Sequence, residues 1–287
     1  MKKIHVGFLM SYDYEKLKLS IPPVYATADA IFIALDKDLR TWSGQKFQVD
    51  PTFFQWVEEM DVDKKITFYR DDFYDPAISA IENDNRERHM LSLKMGIGNW
   101  LVQVDADEYF LNFDDFVDDL RKHDRFLENP EKTKVQFAGY LLNLYKYVDG
   151  GVLYIDKASR GVLATNFPNY KVARNTRQRI IYTKTILLHE CVSRSEEAIL
   201  QKFENWGHKH QIDLEGFMEK WRKVNKSNYQ NYRDFFYIEP EKWKKLGFVE
   251  GNSIEEVNKN LDYSKIMPSN FYVWKKNFGQ WFKFLFK

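Results

Sequence analysis

The sequence predicts an α/β protein: a mixed, mostly parallel sheet flanked by helices, followed by a helical C-terminal region. Three observations carry this. Over residues 4–105, apolar runs of strand length alternate with segments of helical periodicity. Each of the first runs ends on a polar or charged residue, and no linker rich in proline, glycine or serine divides the 287 residues. Strands that alternate with helices pair mostly in parallel, with the helices on the faces of the sheet.

In order, residues 4–10 read as a buried strand and 29–36 as a second that ends on Asp36, with Pro22 and Pro23 breaking the chain between them. Residues 51–60 follow as a helix with proline in its first turn, then 65–70 as a third strand running into Arg70, Asp71 and Asp72. Asp75 and Pro76 suit the cap and first position of a helix reaching about Met95, and 99–104 form a fourth strand. Asn112 caps a helix whose apolar positions Phe113, Phe116, Val117, Leu120 and Leu127 recur at three- and four-residue spacing. From residue 134 the runs shorten, with breaks at Gly150-Gly151 and Asn166 to Asn169, which predicts antiparallel strands and loops. Ser193 and Glu196 stand in capping-box spacing before a helix carrying Ala198, Ile199, Phe203 and Trp206, and another helix starts at Asp213 with Leu214, Phe217 and Trp221. The expected organisation is one main unit over 1–212 and an appended helical region over 213–287.

Composition narrows the function. Lys+Arg 43 against Asp+Glu 42 leaves a formal charge of +1, so no global field attracts nucleic acid, and any phosphate-binding surface is local. The single cysteine, Cys191, excludes an internal disulfide framework and any CxxC motif, and it reads as a small core residue. Aromatic residues make up 17% of the chain, enough to suggest ring-stacking sites besides the core. The apolar run after Lys2 and Lys3 stops at Met10, too short for a signal peptide, and no stretch is long enough to span a membrane, so the expectation is a cytoplasmic protein, peripheral on the inner face of the membrane.

The strongest chemical signal is Val104-Asp105-Ala106-Asp107-Glu108, where the fourth strand leaves the sheet. In an extended chain Asp105 and Asp107 share a face, and two such close carboxylates repel unless a cation or a ribose hydroxyl separates them. Carboxylate oxygens suit Mg²⁺ or Mn²⁺ bridging to phosphate, and ligands of open α/β sheets bind beyond the carboxyl ends of strands. The competing reading is a solvated acidic turn. An EF-hand is excluded by Tyr109 and Phe110, and the loops of P-loop, dinucleotide-binding, hydrolase-elbow and zincin sites are missing. On the 75–95 helix, Asn85, Arg88, His89 and Ser92 make one polar stripe suited to a diphosphate, or else an exposed face. Lys171, Arg174, Arg177, Arg179 and Lys184 form a basic stretch with the same two readings.

With Ser11-Tyr12-Asp13 ending the first strand, Asp36 ending the second, Asn85, Arg86 and Arg88 on the helix and Asn99 to Tyr109 around the acidic cluster, the chain resembles GT-A (Rossmann-like) glycosyltransferases, in particular bacterial family 2. The resemblance covers about the first 210 residues. It implies that Asp105 contacts the nucleotide ribose or the metal, that Asp107 ligates a Mn²⁺ or Mg²⁺ bridging the two phosphates, and that Ser11, Tyr12 and Asp36 face the base and ribose. Displacement at an anomeric carbon needs a carboxylate to take the acceptor's proton, and Glu190 is the candidate. In similar enzymes an acid before a helix is the base and a later histidine completes the metal site; Glu190 and His208 match that order. The sequence lacks the Glu-Asp pair and the Gln-x-x-Arg-Trp motif of processive synthases.

The expected activity is inverting transfer of a single sugar from a nucleotide-diphosphate sugar, a UDP-sugar, to a glycan or lipid-linked acceptor of the cell envelope. Two alternatives stay open: nucleotidyl transfer on a similar core, and a glycan-binding protein without catalysis. Residues 263–287 hold five lysines and no acid among many aromatics. A helix over 270–287 lying on an anionic membrane surface, or packing of these aromatics on the domain or a second subunit, are the two expectations.

Overall fold

A computed structural model describes residues 3–205 and 212–285. Its chain runs β1 (Ile4–Met10), α1 (Leu17–Ser20), α2 (Pro22–Tyr25), β2 (Ala30–Asp36), α3 (Pro51–Met60), β3 (Ile66–Asp71), α4 (Ala80–Met95), β4 (Trp100–Asp105), β5 (Glu108–Phe110) and α5 (Phe113–Arg121). The second half continues with β6 (Val135–Val148), β7 (Gly151–Ile155), β8 (Ser159–Thr165), β9 (Arg179–His189), α6 (Glu196–Asn205), α7 (Leu214–Lys223), β10 (Leu246–Glu250), α8 (Ile254–Asn260), α9 (Tyr263–Ile266) and α10 (Asn270–Leu285).

The strands form one mixed sheet in the order β10-β7-β6-β8-β4-β1-β2-β3, with β9 beside β6 and β5 beside β9. The pairings of β1 with β2 and β4, and of β2 with β3, are parallel, as the alternation of strands and helices predicts. Beyond β4 the pairing is antiparallel except between β6 and β9. Because β2 and β3 lie on one side of β1 and β4 on the other, the strand order reverses between β1 and β4. Their carboxyl ends, Met10 and Asp105, flank that switch point, where a crevice opens in such sheets.

Apolar burial fixes this frame. Phe8, Ile33, Trp100, Phe116 and Phe137 are fully buried in the core that joins the parallel strands to α3 and α5. A second core, around Tyr145, Phe203, Phe217, Trp221, Phe235 and Trp243, fastens α6 and α7 to the later strands. Helix α4 lies so close to β1 that a Cβ on Gly7 would stand 2.8 Å from Met95 Sδ and 2.9 Å from Leu91 Cδ2.

Several boundaries differ from the sequence reading. Helix α4 begins at Ala80 rather than beside Pro76, because Ser79 and Glu82 form a reciprocal capping box. Helix α6 takes Ser195 rather than Ser193 as its cap, with the Ala198 N–H donating to Ser195 Oγ at 3.3 Å. Strands β5, β8 and β10 add to the expected set, and β10 extends the sheet from within the region expected to be helical. Trp206 lies outside the described residues. The polar stripe of α4 divides: Arg88 faces the cavity described below, whereas His89 Nδ1 at 2.8 Å from Pro168 O and Ser92 Oγ at 2.8 Å from Tyr170 Oη are bonded to the 166–178 segment.

Candidate active site

At the switch point a cavity of about 270 Å³ is lined by the end of β1 (Leu9 to Asp13), the exit of β4 (Asp105 to Asp107), Asp84, Glu87 and Arg88 of α4, the Arg40–Trp42 loop, His189, Arg194 and Lys202. The chain turns at Ala106 and Asp107 before β5, so the two aspartates diverge instead of sharing one extended face. Asp105 turns to Arg88, whose Nη2 donates to Oδ1 at 2.8 Å, and to Arg174 at 3.9 Å. Burial opposes the Asp105 charge, but Arg88 and Arg174 hold its pKa below the usual carboxylate value.

Asp107 is bound more densely. Its Oδ2 accepts from Lys202 Nζ at 2.9 Å and from Arg194 Nη2, and its main-chain oxygen accepts from the Glu190 N–H at 2.9 Å. Against the cost of burial, Lys202, Arg194 and His189 keep this carboxyl well below the ordinary range. Arg194 also reaches Asp13 at 3.0 Å, which ties the end of β1 to the turn after β4. Glu108, buried in the same turn, is gripped by both nitrogens of Arg174 at 2.6 Å each.

The second oxygen, Asp107 Oδ1, faces His189 Nε2 at 3.6 Å. The other ring nitrogen, Nδ1, lies 2.8 Å from Asn143 Oδ1. An amide oxygen only accepts, so Nδ1 carries a proton; burial opposes a second proton, but the charges around the ring, Asp107 among them, raise the His189 pKa, and the neutral form leaves Nε2 free beside Asp107. One carboxylate oxygen beside one imidazole nitrogen, the latter oriented by a second residue, is a donor pair that fits Mn²⁺ or Mg²⁺ with substrate phosphates completing the shell. Among the described residues no third histidine, cysteine or acid joins the pair. His208 lies outside the described residues; the histidine that meets Asp107 is His189.

Ser11 and Tyr12 line the cavity as expected, and burial raises the Tyr12 hydroxyl pKa. Arg88 also lines it, but its guanidinium is buried between Asp84 at 2.5 Å and Asp105 at 2.8 Å and organises those acids before it binds anything else. Asp36 stands behind the wall. Its carboxylate accepts from Arg40 Nε at 2.9 Å, from Arg40 Nη2 at 3.1 Å and from the Phe73 N–H at 3.0 Å, so it acts on the cavity by holding Arg40 in the lining. Glu190 is not brought to the cavity: its carboxylate accepts from Lys16 and from Tyr109 Oη at 2.5 Å, and it faces Tyr147 Oη at 3.4 Å.

Several lining groups escape the sequence reading. Trp42 donates its indole N–H to Glu87 Oε2 at 2.5 Å, and burial pushes the Glu87 carboxyl up to about 8. Two of the pairings around the cavity, Asp36 with Arg40 and Asp84 with Arg88 on α4, stand at i, i+4 in the sequence. Arg194 and Lys202 are joined to Asp107 across 87 and 95 residues, a pairing without a local pattern. Of the basic stretch, Arg174 is a structural clamp and Arg179 sits 5.4 Å from the Trp281 ring, so the arginines do not form one anion-binding strand face.

No family model and no curated protein matches the chain. Among solved structures, part of it is similar to the crystal structure of S. aureus TarS 1–349, at 17% sequence identity and a TM-score of 0.27, over 52% of this chain and 37% of that one. The match thus spans little more than a third of the solved chain. So slight a likeness bears on neither the site nor its chemistry.

Proposed function

We propose that the protein transfers a single sugar from a nucleotide-diphosphate sugar, a UDP-sugar, to a hydroxyl of a cell-envelope glycan or lipid-linked acceptor, with inversion. The observation that carries the reading is the cavity at the carboxyl ends of β1 and β4, bounded by both aspartates of the Asp105-Ala106-Asp107 turn and by the ring-bearing side chains Tyr12 and Trp42. Tyr12, Ser11 and Trp42 offer a polar and aromatic wall for a base and ribose. Asp107 and His189 would hold a Mn²⁺ or Mg²⁺, which when bound supplies positive charge beside a leaving diphosphate. Lys202 and Arg194 hold the Asp107 carboxylate in one orientation, so that Oδ1 stays directed at His189.

Glu190 serves as the base in this scheme only if the acceptor enters between Lys16 and Tyr147. In that case Glu190→Gln lowers kcat by about 10²–10⁴-fold with donor affinity kept. Unchanged kcat with a lower melting temperature makes Glu190 a packing residue. The reaction class is tested by incubating the protein with UDP-sugars and Mn²⁺. Slow release of UDP is the expected result; release of pyrophosphate from a nucleoside triphosphate would replace this reading with nucleotidyl transfer, and failure to act on either would leave glycan binding.

A further inference from the structure

Helix α10 is mounted the reverse way from an ordinary surface helix, which buries its apolar stripe and exposes its polar one. Its inward seam is Val273, Asn277 and Gln280. Asn277 accepts from the Tyr182 N–H at 2.8 Å and donates to Tyr182 O at 2.9 Å, and Gln280 Oε1 accepts from the Ile180 N–H at 3.1 Å. Two amide side chains thus cap the open edge of β9 while Val273 packs on Ala138, Ile180 and Tyr182. The aromatics point away: Phe271 is 69% exposed, Trp274 58%, Phe278 50%, Trp281 58% and Phe282 51%. Ring centroids 6.0 Å apart for Phe271 and Trp274, 5.2 Å for Trp274 and Phe278, and 4.9 Å for Phe278 and Phe282 make these rings one continuous ladder.

We propose that this ladder is a docking surface for an anionic phospholipid bilayer, with α10 lying in the interface. Charge selects the lipid over a second copy of the chain. Lys265 is paired with Asp262 at 3.0 Å, but α10 itself carries Lys275, Lys276 and Lys283 and no acid, so two such faces brought together would repel. Beside Trp281 a further cavity is lined by His123, Arg125 and Arg179, and among the described residues Arg179 Nε is buried there without a hydrogen-bond partner. The acid on that wall, Asp119, is already paired with Lys122 at 2.9 Å. The guanidinium groups of Arg125 and Arg179 that line this cavity offer donors to a headgroup phosphate beside the Trp281 ring. Among the described residues no helix is long and apolar enough to cross a membrane, so the contact is interfacial. The inference is independent of sugar transfer.

The test is sedimentation of the full chain with vesicles of phosphatidylethanolamine and phosphatidylglycerol, compared with vesicles of phosphatidylcholine alone, at low and high salt. Binding to the anionic vesicles is expected, at least about tenfold weaker on phosphatidylcholine or in high salt. The F271S/W274S/F278S variant should lose it, and K275Q/K276Q should weaken it about tenfold or more, both melting as wild type does. Phe271, Trp274 and Phe278 are each at least half exposed; if their variant does unfold, K275Q/K276Q carries the test alone. Absence of vesicle binding, binding indifferent to lipid charge, or a dimer in analytical ultracentrifugation that the ladder substitutions dissolve would overturn the proposal.

Discussion

At the scale of single residues, the site holds acids paired with cations brought from elsewhere in the chain, Asp105, Asp107 and Glu108, beside one buried acid, Glu87, that keeps its proton. Glu108 is 1% exposed and depends on Arg174, 66 residues away. Removing one partner of such a pair leaves an uncompensated charge, so Arg174→Met should cost about 3–5 kcal/mol, read as a shift of the urea midpoint. Glu87 gives a pH signature. Burial raises its pKa from 4.5 to about 8, so the folded protein retains a proton that the unfolded chain has released. Its contribution is complete below 4.5 and is lost as pH rises through about 8. Glu87→Gln keeps an acceptor for the Trp42 N–H and removes the titration. The melting temperature of that variant relative to wild type should therefore climb between pH 5 and 8; a constant difference would show that Glu87 is ionised throughout. Residue identity was legible in the sequence at the Asp105-Ala106-Asp107 turn and at Ser11 and Tyr12. The pairing of the two aspartates with Arg88, Arg174, Arg194, Lys202 and His189 was not, because each of those residues is contributed by another element.

At the scale of elements, the parallel strands were readable because fully buried strands are continuous apolar runs between polar ends. Strand β8 was harder: Ser159-Arg160-Gly161 opens it with polar and small residues, and only Val162 to Ala164 are apolar. The start of α4 was misplaced because Asp75 and Pro76 imitate a cap, whereas Asp75 is instead bonded to Asn83 through its main-chain N–H at 2.9 Å and its carbonyl at 3.1 Å. On the α4 stripe His89 and Ser92 are bonded to a loop 78–79 residues further on, a pairing that helical spacing does not announce, and only Arg88 reaches the cavity. Contact between α4 and β1 sets the height of Arg88 and Glu87 in the cavity. Gly7→Ala forces a methyl against Met95 and Leu91 and should destabilise by about 1–3 kcal/mol; a calorimetric melt within 1 °C of wild type would mean that α4 moves aside freely.

At the scale of the whole molecule, the reversal of strand order between β1 and β4 decides where a ligand enters, and the near balance of 43 cationic and 42 acidic side chains means that the affinity is local. The C-terminal aromatics were legible as a surplus needing cover, while the direction they face was settled by Asn277 and Gln280, two polar residues whose pairing with β9 no helical pattern announces. The central claim is that the cavity takes a nucleotide-diphosphate sugar with a divalent cation held at Asp107 and His189. Calorimetric titration of UDP and UDP-sugars into wild-type protein and His189→Gln, each with Mn²⁺ and with a chelator, tests it most directly. Saturable binding by wild type that strengthens at least about tenfold with Mn²⁺, and a Mn²⁺ effect lost in His189→Gln, is the predicted result. No binding by wild type of any nucleotide under either condition, or a Mn²⁺ effect unchanged by the substitution, would contradict it.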